Sequence, residues 1–220
     1  MRHTVVAIDG PAASGKSTVS RELARRLGFS YVNSGSLYRA ATWWALRAFG
    51  SVPASGAELV KSLRDAEFSA GIEHHASFVE VGGTEPGTEL FSETVNGAVS
   101  AVSALPEVRE LILGHLRACA DQDSIVMEGR DIGTVVFPEA RYKFYLDASP
   151  QERERRRAAQ GGGDSIEKRD RIDSTRKAAP LKPAPDAWVV DSTSLTLHGV
   201  VEEILFRLEQ KGLVVTKGAK

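Results

Sequence analysis

The sequence predicts an α/β protein, with a central parallel sheet covered by helices on both faces. Three observations carry this expectation. Short apolar, β-rich runs recur along the chain, at "TVVAI" (4–8), "FSYV" (29–32), "SIVM" (124–127), "YKFYL" (142–146) and "WVV" (188–190). Helical patterns alternate with most of these runs, as the crossovers of a parallel sheet require. The first strand passes at once through the glycine-rich "DGPAASGKST" into the helical "VSRELARRLG".

Each element has its own signal. The first helix ends at Gly28, and the second, "NSGSLYRAATWWALRAFG", carries Leu37, Ala40, Ala41, Trp44 and Ala48 at helical spacing before Gly50 closes it. Trp43 and Trp44 are read as packing residues. From 66 to 86 the texture changes to loose alternation around Ala76 with a Gly-Gly turn, which predicts an antiparallel hairpin. His74 and His75 on it have no carboxylate-rich neighbourhood and are read as solvated rather than as metal ligands. Helices are then expected in "LFSETVNGAVSAVS" and, after Pro106, in "EVRELILGHLRACA". In "ASPQERERRRAAQ", Ser149 caps, Pro150 takes the first helical position and Glu152 completes a capping box, with Arg156 four residues beyond it. "GGGD" (161–164) is a break, "SIEKRDRIDSTRK" a polar helix, and Leu197, Val200, Val201, Ile204, Leu205 and Leu208 an amphipathic closing helix. The tail after Gly212 is expected to be disordered.

Composition bounds the function. The 220 residues are 42% apolar and 26% charged, ordinary for a soluble globular protein. Twenty-eight Lys and Arg against 29 Asp and Glu leave a net charge of -1, so total charge proposes neither nucleic acid nor an acidic membrane as partner. "MRHTVVAIDG" holds too few apolar residues for a signal-peptide core and no later run reaches the length of a membrane span, so a cytoplasmic location is expected. Cys119 is the only cysteine, which rules out an internal disulfide and is read as a small apolar residue on a helix face.

"GPAASGKS", Gly10 to Ser17, matches G-x-x-x-x-G-K-[ST] between a strand and a helix, the setting of a P-loop. The expected loop is Gly10, Pro11, Ala12, Ala13, Ser14, Gly15, Lys16, Ser17 and Thr18, whose backbone N–H groups and helix N-terminus cradle the phosphates of ATP. Lys16 reaches the β and γ phosphates, and the Ser17 hydroxyl meets Mg²⁺, mostly through water and the ATP phosphates. The fold is thus expected to be a P-loop NTP hydrolase core.

Phosphoryl transfer requires two anionic substrates held in line while spreading charge is neutralised, and arginine does this best. Arginines outside the loop come in groups: Arg39, Arg109, Arg130, Arg153 to Arg157, and Arg169, Arg171 and Arg176. Arg130 stands in "EGRDIGTV" at the end of an apolar strand, on the same sheet edge as the P-loop, and that edge binds ligands in α/β folds.

"IDGPAASGKST", "NSGSLYRAA", "PEVRE", "EGRDIGTVVFPEA", "KFYLDAS", "RDRIDSTR" and "APLKPAPDAWVVDST" resemble, in order and across nearly the whole chain, the signatures of bacterial cytidylate kinases. The resemblance implies transfer of the ATP γ-phosphoryl group to CMP or dCMP by a monomer. It also implies a core (1–34, 104–149, 177–212), a hinged monophosphate-binding domain (35–103, with the hairpin insert near 66–86), a short helical lid (150–176) and a tail (213–220). Ser34, Arg39 and Arg130 would hold the acceptor phosphate. Ser100, Arg109 and Asp131 would line the cytosine pocket, Arg169 and Asp173 reach the ribose, and Arg176 lie close to base or phosphate. Lys16, Arg130, Arg153 and Arg157 are the groups expected to act on the transferring phosphoryl group. Asp131 has a physical reason in that reading: cytosine offers a 4-amino donor where uracil offers a 4-oxo acceptor, so a carboxylate accepts from one and repels the other. No general base is needed, because the attacking phosphate oxygen is already ionised.

The chain departs from the family in places. Only "AAQGGGDSIE" separates the two arginine clusters, so the lid is short; Asn33 stands where aspartate is frequent, and Ile172 where some members carry arginine. Two other readings remain: a P-loop kinase for UMP or a small metabolite, and a nucleotide-binding switch without transfer, in which the second-substrate arginines would have no task.

Overall fold

The computed structural model describes residues 3–159, 166–175 and 179–214. Its strands are β1 (Val5–Asp9), β2 (Ser30–Asn33), β3 (Ser69–Glu73), β4 (Ala76–Glu80), β5 (Ile125–Gly129), β6 (Tyr142–Asp147) and β7 (Trp188–Asp191). The helices are α1 (Lys16–Leu27), α2 (Ser34–Phe49), α3 (Gly56–Asp65), α4 (Glu93–Val102), α5 (Pro106–Gln122), α6 (Pro150–Ala159), α7 (Ile166–Thr175) and α8 (Leu197–Gln210). All seven strands lie in one sheet, ordered β3-β4-β2-β5-β1-β6-β7 and parallel except for the β3–β4 pair.

Strand geometry sends alternate side chains to opposite faces, and both faces here are apolar. Val6 and Ile8 of β1, Val126 of β5, and Phe144 and Leu146 of β6 pack under α1 and α8. Ala7, Val32, Ile125 and Met127 face the other way, against residues of α2, α3, α4 and α5. The expected face of α8 is buried through Val200, Val201, Ile204, Leu205 and Leu208, while Leu197 at its start stays exposed. Cys119 is buried in the second core, where burial pushes its thiol up to about 11. Trp43 and Trp44 also pack, and their Nε1 groups donate to Glu89 Oε2 (2.6 Å) and Ser62 Oγ (2.9 Å).

Three local features differ from the sequence expectation. The β3–β4 hairpin turns at His74 and His75, both at positive φ (49° and 60°), rather than at the Gly-Gly pair. Gly82 and Gly83 form a second turn, closed by the Val81–Thr84 bridge. A type I′ two-residue turn needs positive φ at both positions whatever the residues, and strand pairing offsets the cost. Helix α3 was not foreseen, although Ser55 accepts from Glu58 N (3.4 Å) and Leu59, Val60 and Leu63 are buried. At α6, Ser149 Oγ does accept from Glu152 N (3.3 Å), but the reciprocal half of the capping box is missing. The Glu152 carboxylate takes Arg155 and Arg156 instead, including the expected pair four residues on (2.8 Å), and the Ser149 N–H goes to Thr193 Oγ1.

Register places the site. Asp9 of β1 lies opposite Gly129 of β5, and Asn33 of β2 opposite Glu128, so three strands release their next residues side by side at the carboxyl edge. The segment 161–164 lies outside the described residues, as does the tail beyond Val214.

Candidate active site

At the end of β1 the chain turns through Gly10, where an added Cβ would stand 2.1 Å from the Leu146 carbonyl oxygen of β6, so only glycine lets the loop pass. Gly15 leads into α1, whose N-terminus faces a cleft of 290 Å³. Ala12, Ala13, Lys16 and Ser17 line it from the loop side. Lys16 is 6% exposed and its Nζ donates to Pro11 O (2.5 Å) and Ser14 Oγ (3.4 Å). Burial, and then the Arg130 charge, bring its ammonium down to about 7, against the opposing pull of Glu128, Asp9 and Asp170.

The same cleft is lined from the other side by Ser34, Arg39, Ser100, Arg109, Arg130 and Asp131. Ser34 starts α2, and its hydroxyl donates to Glu128 O (2.7 Å). Gly129 is required beside it, because a Cβ there would lie 2.6 Å from both Ser34 Oγ and Ile132 Cδ1. Arg39 Nη1 donates to Leu90 O (2.9 Å) and Asn96 Oδ1 (2.8 Å), with its guanidinium over the Phe91 ring. Arg130 Nη1 donates to Gly10 O (3.1 Å), which ties the acceptor side to the phosphate loop.

Asp131 is 5% exposed and bonded by Arg109, which also donates to Ser103 O (3.1 Å) and lies over the Tyr38 ring. The two adjacent charges at the end of β5 diverge. Arg130 turns to the phosphate loop, and Asp131 pairs with Arg109 rather than with its neighbour.

Helix α6 splits its arginines by face. Arg157 lines the cleft, whereas Arg153 donates to Ala148 O (3.2 Å) and Ala12 O (3.3 Å) and pairs with Asp170 of α7. Asp170 also accepts the Ala12 N–H of the phosphate loop (3.1 Å). Arg156 supports the loop from outside, through Ser14 O (3.1 Å) and Ser192. The side chains of Arg169 and Asp173, and Arg176 as a whole, lie outside the described residues.

Sequence reasoning missed Glu128, Tyr38 and Phe91, which also line the cleft. Glu128 had a readable signal, an acid closing an apolar strand that neighbours the P-loop strand. It is buried, its Oε1 accepts the Tyr31 hydroxyl (2.6 Å), and burial followed by the Glu128 charge keeps that phenol protonated. For Mg²⁺ the donors fit: a hydroxyl (Ser17) and a carboxylate (Glu128) share one cleft, and a magnesium ion on nucleotide phosphates needs only one or two protein oxygens. Among the described residues no cluster of three or more acids, histidines or cysteines forms a separate metal site.

Fold and cleft together define a P-loop phosphotransferase: a triphosphate loop and a second polar, arginine-lined subsite open into one space. A family model described as cytidylate kinase matches residues 6–210. The cytidylate kinase of Nocardia farcinica (strain IFM 10152) is 43% identical over 212 residues, covering 91% of each chain. That of Oleidesulfovibrio alaskensis (strain ATCC BAA-1058 / DSM 17464 / G20) is 40% identical over 218 residues, covering 94% of this chain and 99% of the relative. That of Geobacillus kaustophilus (strain HTA426) is 42% identical over 215 residues, covering 93% and 96%. The chain belongs to the cytidylate kinase family.

Proposed function

We infer that this chain transfers the γ-phosphoryl group of ATP to CMP or dCMP, giving ADP and CDP or dCDP. The observation that carries the reading is the single cleft shared by Lys16 of the phosphate loop and the largely buried Arg109–Asp131 pair. A carboxylate that pairs with Arg109 and lines the same cleft is the partner a 4-amino group needs.

In this mechanism the P-loop amides and Lys16 hold the triphosphate, and Ser34, Arg39 and Arg130 hold the acceptor phosphate. The attacking oxygen is an ionised phosphate oxygen of CMP, so no side chain has to remove a proton. Ser17 and Glu128 would hold Mg²⁺, which would supply charge neutralisation to the triphosphate. Lys16, Arg130, Arg153 and Arg157 meet the charge that spreads over the transferring group. Arg169, Asp173 and Arg176 are assigned to the ribose and base on family resemblance alone.

Asp170 gives the lid a chemical task. Its carboxylate rests on an amide that a phosphate oxygen would use and on Arg153. ATP takes over both partners when it binds, so lid and loop respond together. Residues 35–103 act as the monophosphate-binding domain and 150–176 as the lid, closing on a core of 1–34, 104–149 and 177–212 to exclude water. No described helix is long and apolar enough to cross a membrane. A monomer acting on free nucleotides in the cytoplasm, without nucleic acid, completes the reading.

The test is a coupled assay with ATP and Mg²⁺ against CMP, dCMP, UMP and AMP. CMP or dCMP should be preferred by at least tenfold in kcat/KM; a preference for UMP or AMP would reject the assignment of the acceptor.

A further inference from the structure

Asp9, the last residue of β1, is 3% exposed, and it bonds to neither the phosphate-loop amides nor Lys16. Its Oδ1 accepts the Ile132 N–H (2.7 Å) and its Oδ2 the Gly133 N–H (2.8 Å). Those amides open the single helical turn Ile132–Val136, and the first donors of any helical turn have no partner within it. Asp131, which precedes the turn, has no side-chain capping bond to it. Asp9 thus caps this turn from another strand, 123 residues away in sequence.

The turn follows directly on Arg130 and Asp131, the two residues that face the acceptor. Arg130 returns the tie, donating to the carbonyl of Gly10, the residue after Asp9. The ends of β1 and β5 are therefore cross-linked in both directions. The turn is closely packed: a Cβ at Gly133 would press on Lys143 Cδ at 3.2 Å and just touch Asp9 Oδ2 at 3.4 Å. Lys143 is itself buried and anchored on Asp186. Burial raises the Asp9 carboxyl to about 6, against the two amides that favour its ionised form. A buried carboxylate in a second carboxylate's field is costly to keep, and an apolar residue would fill a structural position more cheaply.

We propose that Asp9 is a positioning residue for acceptor recognition: by capping the turn after Arg130–Asp131, it fixes the acceptor-reading pair at a set distance from the phosphate loop. This rests on the acceptor reading proposed above. The test uses Asp9→Asn, which turns an amide N–H toward one of the two backbone donors, and Gly133→Ala, which presses on Lys143 and so displaces the capped turn from its other side. The full chain is assayed with CMP and UMP, and ATP binding is measured separately by calorimetry. For Asp9→Asn the expected result is a KM for CMP raised about tenfold and a CMP-to-UMP preference reduced by a similar factor, with ATP affinity within about twofold. Gly133→Ala should move both acceptor readouts in the same direction, and decides alone if Asp9→Asn does not fold. An unchanged CMP-to-UMP ratio in folded variants, or ATP affinity falling as far as CMP affinity, overturns the proposal. Wild-type protein inactive on CMP would instead overturn the acceptor reading, and this inference with it.

Discussion

At the residue scale, the proposed chemistry rests on charges held away from solvent. Asp131 and Arg109 are both largely removed from solvent, and removing one partner of such a pair strands the other. Asp131→Ala is expected to lower kcat/KM on CMP by about 10²–10³ while lowering it on UMP less than about tenfold; equal losses on both acceptors would refute a base-reading role. Lys16 carries a different cost. Its ammonium is held down to about 7 by burial, against an ordinary value of 10.5. The native state therefore binds fewer protons than the unfolded state between those values, and this residue's contribution to stability rises with pH across that window. Below about pH 7 the full penalty is present. Lys16→Met is accordingly expected to abolish transfer yet stabilise the nucleotide-free protein by about 1–3 kcal/mol at pH 6, with the gain shrinking toward pH 10. Thermal melts at the two pH values check the sign. The P-loop residues were legible because their motif is local. Glu128 and Asp9 were visible as letters but not as site groups, because their partners lie 97 and 123 residues away.

At the scale of elements, strand and helix order could be read because each parallel strand is a short apolar run and each helix carries a period of its own. Helix α3 was passed over because its ten residues show only three buried apolar side chains beyond Gly56. The hairpin was expected, but its turn fell at His74–His75, since pairing register and not glycine content chose the corner. The α6 arginines illustrate a limit of periodicity. Arg153, Arg156 and Arg157 look alike in sequence, yet one joins the phosphate loop to α7, one supports the loop from behind and one lines the cleft. The Asp170 contact supplies the prediction at this scale. Asp170→Ala removes a carboxylate that competes for the Ala12 amide and for Arg153, so ATP should bind several-fold more tightly while kcat falls as Arg153 loses its guide. Weaker ATP binding in this variant would assign Asp170 to holding the nucleotide.

For the whole molecule, the proposed closing of lid and monophosphate domain on the core predicts a smaller radius of gyration, from about 17 Å for a chain of this length. Small-angle scattering with CMP and a non-hydrolysable ATP analogue together should show the contraction, and each ligand alone should show less of it. An unchanged radius with both bound would mean that the site is assembled without domain motion. The sequence by itself determined the α/β class, the phosphate loop, the sites of most strands and helices, and, through motifs in family order, the acceptor chemistry expected. These are local properties: periodicity, turn residues and motif spacing act over a few residues at a time. Only the tertiary structure decided which charges meet. Sheet register set Asp9 beside Gly129 and Asn33 beside Glu128, and Asp131 found Arg109 instead of Arg130. Such pairings depend on strand order and on the directions in which side chains leave the carboxyl edge, which no stretch of sequence contains.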